Sequence, residues 1–146
     1  MQNLNFSLSA ETFDFVWADH HIRLNHGLDF IQQYSMPQGV WSELAIEKMI
    51  YVIEELLESD AALRQLPSMA VTSDAMMSQL NQLFFKTTAA IDRIQLENAF
   101  NDFVDHITHY VHQIGEAQQQ ALIYFVVLRE MMHHLKIEKI LFNPSE

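Results

Sequence analysis

Ala121-Leu-Ile-Tyr-Phe-Val-Val-Leu128 runs straight into Arg129-Glu-Met-Met-His-His134, and the secondary structure of this stretch decides the fold class. Its apolar residues are far too few to span a bilayer, which takes about twenty. Ile123, Tyr124, Phe125, Val126 and Val127 would suit a buried strand. The flanks decide against that reading. Glu116-Ala-Gln-Gln-Gln120 and Arg129-Glu-Met-Met132 are strong helix formers, and no turn residue bounds the run. A helix that is apolar all round must be covered on most sides, so it is expected at the centre of a helical protein or at an association surface.

Working outward, the final helix is expected from Glu116 to about Leu141, stopping before Pro144. Upstream, Leu96, Phe100, Phe103, Ile107, Tyr110 and Ile114 recur at helical spacing and end at Gly115. Met77, Leu80, Phe84, Thr87 and Ile91 form an earlier stripe after a Ser73 cap, with a break expected between Lys86 and Gln95. Trp41, Ala45, Met49, Val52, Ile53 and Leu56 mark a helix from about Val40 to Ser59. Asp60 caps a short turn, Ala61 to Leu66, and Pro67 to Thr72 reads as a connecting loop. Phe13, Trp17, His20, Leu24, Leu28 and Ile31, at steps of four and three, predict a long first helix after Ser9, with Gly27 one step off its face. Residues 1–8 show no helical period and read as a flexible N-terminal arm.

The expectation is therefore all-α: one antiparallel bundle of four to five helices over residues 9–146. A chain of 146 residues can bury its own core. Cysteine is absent, which excludes disulfides, thiolate metal sites and cysteine nucleophiles. No signal-like segment opens the chain, and it reads as cytoplasmic. The net charge is −11, all of it within residues 1–120, which carry 16 acidic and 5 basic groups. Such a field repels phosphate backbones, so direct nucleic-acid binding is not expected. Eight histidines match the number of lysines and arginines together, so the charge is unusually sensitive to acid.

The histidines fall into three groups: His20-His21 with His26, then His106, His109 and His112, then His133-His134. Glu130-x-x-His133 places both side chains on one helix face, as in the ligand pairs of ferritin-like di-iron bundles. Asp19-His20-His21 and His133-x4-Glu138 resemble the first and last ligand segments of hemerythrin-like chains. That resemblance implies a His-x-x-x-Glu on the second helix, yet no histidine occurs between His26 and His106. A metal site would use His20, His106, Glu130 and His133, holding iron, manganese or zinc. The plainer reading is a core histidine at His20 and a solvated face at His109 and His112.

Arg129-x4-His134 resembles the short motif of HEPN-type ribonucleases, except that Glu130 follows the arginine. The plainer reading pairs Arg129 with a carboxylate on a neighbouring helix. There is no Gly-x-Gly-x-x-Gly, P-loop or Gly-x-Ser-x-Gly. No catalytic set is complete. The expected function is non-enzymatic: a regulator, adaptor, immunity protein or inhibitor that binds a protein partner, basic in character, through its acidic helical surface. Homodimerisation through residues 121–128 is a related expectation, and the histidine–carboxylate metal-binding bundle is the alternative.

Overall fold

Leu4, Phe6 and Leu8 alternate with Asn5 and Ser7, and Phe13, Phe15 and Trp17 alternate with Asp14 and Val16. Each set buries its apolar members. This period of two makes strands, not a helix. The computed structural model describes residues 3–86 and 90–144. Among these, β1 (Leu4–Leu8), β2 (Phe13–Trp17) and β3 (His20–Leu24) form a meander. Then come α1 (Leu28–Ser35), α2 (Glu43–Glu58), β4 (Met69–Thr72), α3 (Ala75–Leu80), β5 (Ala90–Asp92), α4 (Arg93–Asp105), α5 (Ile107–Ile114), α6 (Gln120–His134) and β6 (Lys139–Phe142).

The expected all-α bundle is thus corrected to an α/β fold built on a six-stranded mixed sheet in the order β3-β2-β1-β4-β6-β5. Strands β1, β4 and β6 run parallel, and β2, β3 and β5 attach antiparallel. The segment assigned to an N-terminal arm supplies β1, which pairs on both sides; Met1 and Gln2 lie outside the described residues. The long first helix resolves into β2, β3 and α1. Phe13 with Trp17, and His20 with Leu24, stand four apart, a spacing that satisfies a strand face as well as a helix face. Between them Ala18-Asp19 turns the chain with Ala18 at φ 49.

The other elements follow local chemistry. In α2 the Ser42 hydroxyl accepts from the Ala45 amide at 3.0 Å. Asp60 caps the short 3-10 turn Ala61–Gln65 as expected. The predicted loop Pro67 to Thr72 contains β4 instead. The cap of α3 is Asp74 rather than Ser73. The break expected between Lys86 and Gln95 holds β5, followed by a capping box in which Asp92 and Gln95 bond each other's amides. Thr87, assigned to a helix face, lies outside the described residues. The final helix stops at His134, and Ile140 continues into the sheet.

Ala121–Leu128 is helical, as the flanks demand, and every one of its side chains is buried by the chain itself. Helix α6 touches α1, α2, α3 and α4. Its Phe125 meets Phe84, Phe85, Phe100 and Phe103 in an aromatic cluster. The inward residues of β1, β2, β4 and β6 share this core.

Candidate functional site

Because β1, β4 and β6 are parallel, their carboxyl ends meet at one edge of the sheet. Open α/β sheets bind ligands at that edge, since backbone groups and loops gather where the strands stop. Here Ser7 and Leu8 close β1, Thr72-Ser73-Asp74 leads from β4 into α3, and Asn143 follows β6, its amide bonded to the Thr72 carbonyl at 2.9 Å. The β1–β2 turn, Ser9 to Thr12, stands over the edge. It is tightened by Ser9 N–H on the Thr12 carbonyl at 2.9 Å and by Thr12 N–H on Ser9 Oγ at 3.1 Å.

Asp74 is the centre of this edge. Ser7 Oγ donates to its Oδ1 at 2.8 Å. The Leu8 amide and the Tyr124 hydroxyl donate to Oδ2 at 3.0 and 2.8 Å. Its own amide donates to Thr72 Oγ1 at 3.1 Å. A half-buried carboxylate is thus held by a strand hydroxyl, a strand amide and a phenol from the core helix. Charge-assisted bonds of this kind are about twice as strong as neutral ones. Burial, and then the negative charge of Asp74, push the Tyr124 phenol well above its ordinary 10.0. It stays a donor. Ser7 and Ser9 are exposed and Thr12 is half-buried, with Ser9 Oγ donating to the Thr12 carbonyl at 2.9 Å and Thr12 Oγ1 to Asp14 Oδ2 at 3.4 Å.

The predicted metal residues do not assemble. His20 stands exposed in β3 with its ring stacked on Trp17 at 4.8 Å, not buried on a helix. His106 is exposed where α4 meets α5, its Nδ1 3.1 Å from Asp102 Oδ1. Glu130 and His133 both lie on α6, but they face different partners. His133 Nε2 is 3.0 Å from Glu97 Oε2, whereas Glu130 Oε2 takes the Arg129 guanidinium at 2.8 Å. Glu54, Glu130 and His134 bring donor atoms within 4.8 Å of one another. Within it Glu130 also takes the Arg129 guanidinium at 2.8 Å, and Glu54 lies 2.9 Å from His134 Nε2.

Arg129 does bond a neighbouring helix, with two contacts to Glu97 of α4 at 3.3 Å, and lies over the Phe100 ring. His134 turns to Glu54 rather than to Arg129, so the ribonuclease-like pair does not form. Burial raises Glu130 above its ordinary 4.5, Arg129 opposes this, and Glu54 adds to it. For Glu97 burial also acts upward, but the hydrogen bonds from Arg129 and His133 prevail and hold it low. Beside this network a groove of about 590 Å³ opens between α2 and α4, over Ile46, Ile50, Phe100 and Val104.

No family model matches the sequence, and a search of curated proteins finds no match. Solved structures do match the fold. The Aquifex aeolicus PPX-GPPA enzyme superposes with a TM-score of 0.78 at 10% identity, over 99% of this chain and 54% of that one. The type II variant of the Aquifex aeolicus Ppx/GppA phosphatase gives 0.75 at 10%, over 98% and 53%. An exopolyphosphatase-like protein gives 0.75 at 7%, over 99% and 55%. The chain spans about half the length of these proteins. Both functional expectations are corrected here. The helical adaptor and the di-iron-like bundle each presupposed an all-α architecture, and the fold is instead one found in enzymes. No described helix is long and apolar enough to cross a membrane.

Sequence reading passed over Asp74. The signal available was Met69-Ala-Val-Thr72 running into Ser73-Asp74, a short strand followed by a polar turn and a helix.

Proposed function

We propose that this chain is a phosphate-handling domain of an exopolyphosphatase-type hydrolase. Its ligand, a short phosphoanhydride or a phosphate monoester, lies against the carboxyl ends of β1, β4 and β6. Asp74 is the general base that takes a proton from the attacking water. The observation that carries this reading is the Asp74 carboxylate, fixed by Ser7, Leu8 and Tyr124 at the edge where open sheets take ligands. A base held in place in this way typically contributes about a hundredfold or more.

The net charge of −11 favours one class of substrate over another. It repels a long polyanion along its whole length but a short phosphorylated molecule only at one end, so short ligands are favoured. The solved relatives of this fold include proteins described as a phosphatase and as exopolyphosphatase-like. The cytoplasmic location expected from the sequence is part of this proposal.

The test is phosphate release from pyrophosphate, tripolyphosphate, nucleoside triphosphates, p-nitrophenyl phosphate and long polyphosphate, with wild type and D74N side by side. Turnover of a short substrate that D74N loses supports the reading. Turnover that D74N retains, or none on any substrate, overturns it.

A further inference from the structure

Tyr124 sits within Ala121–Leu128 and is fully buried among aliphatic and aromatic neighbours. Phenylalanine would fill the same space without a polar atom to satisfy, and a buried hydroxyl is costly unless it is bonded. Its bond is to Asp74 Oδ2 at 2.8 Å. The two oxygens of Asp74 are treated unequally. Among the described residues Oδ2 receives the Leu8 amide and the phenol, while Oδ1 receives Ser7 Oγ from the exposed side.

We infer that Tyr124 is the positioning residue of this site: its hydroxyl pins Oδ2, so that Oδ1 is the oxygen presented to a ligand or water. The inference rests on the reading of Asp74 as base. It explains why a polar group interrupts the most apolar stretch of the chain. It also ties the site to the core, because the phenol that orients the carboxylate stands on the helix that α1, α2, α3 and α4 surround. The phenol removes no proton and touches no substrate.

The experiment compares wild type, Y124F and D74N. Y124F keeps the ring and removes the donor. Loss of one charge-assisted bond is expected to lower kcat about tenfold with KM nearly unchanged. The carboxyl carbon resonance of Asp74 at neutral pH, identified by its absence in D74N, is displaced in Y124F, because the phenol no longer donates to Oδ2; this needs no turnover. An unmoved resonance overturns the Tyr124 inference even if D74N is inactive. A moved resonance in a protein whose D74N variant remains active keeps the contact and sinks the base reading. Should Y124F fail to fold, a more acidic fluorotyrosine placed at position 124 preserves the shape. It must move the resonance the opposite way, and no movement overturns the inference.

Discussion

A Cβ atom on Gly27 would stand 2.4 Å from the carbonyl oxygen of Ser9. The start of α1 is pressed against the β1–β2 turn, with the Leu28 amide on Ser9 O at 3.0 Å and the Asp29 amide on Ala10 O at 2.9 Å. The helix end therefore holds the turn that carries Ser9 and Thr12.

Gly27→Ala must push that turn away, because the obstructing atoms are backbone and not a movable side chain. Overpacking of this kind typically costs about 1–3 kcal/mol. Chemical denaturation is expected to show the loss. Retention of full wild-type stability would contradict the packing described.

Arg129 spans Glu130, only 1% exposed, and Glu97. Arg129→Ala leaves the Glu130 carboxylate buried without its cation, a change that typically costs about 3–5 kcal/mol. Adding Glu130→Gln removes the stranded charge, so the double variant is expected to be more stable than R129A alone. Equal stability of the two in denaturant would show that Glu130 is not the reason for the loss.

The pH dependence has two signs in one network. Burial raises Glu130 above 4.5, so its neutral form favours the fold. That contribution is full below about 4.5 and is lost as pH rises through the raised value. Glu97 is held low by Arg129 and His133 against burial, so its contribution is present above 4.5 and is lost as pH falls through the lowered value. Melting curves should show E130Q gaining on wild type as pH rises from the acid range, and E97Q falling further behind. Parallel curves at all pH values would contradict both assignments.

The part of the fold legible in the sequence was the part with one unambiguous period. Trp41 to Leu56 repeats at helical spacing only, and α2 lies where that pattern predicts. Ala121–Leu128 has no period at all, and its helix-forming flanks resolved it. The meander was hidden by a coincidence of spacing between Phe13 and Trp17 and by a turn, Ala18-Asp19, without the Asn-Gly signature of two-residue hairpins. Strands β4 and β6 are four residues each, too short for a period to stand out, and Lys136 at φ 58 lies in the break after α6 where no glycine announces one.

The candidate site was less legible than the fold for a related reason. Ser7, Asp74 and Tyr124 are separated by 67 and 50 residues along the chain and meet only because β1 and β4 are parallel neighbours beneath α6. The histidines drew attention by local spacing instead, and His20, His106 and His133 settle on three separate carboxylate or aromatic partners.

The most direct measurement follows backbone amide resonances while a non-hydrolysable pyrophosphate analogue is added. If the carboxyl edge of the parallel strands is the ligand site, the shifts concentrate at Leu8 to Thr12, Ser73, Asp74 and Asn143, and D74N alters them. Shifts gathered along the α2–α4 groove at Ile46, Ile50, Phe100 and Val104, with the strand edge silent, would contradict it.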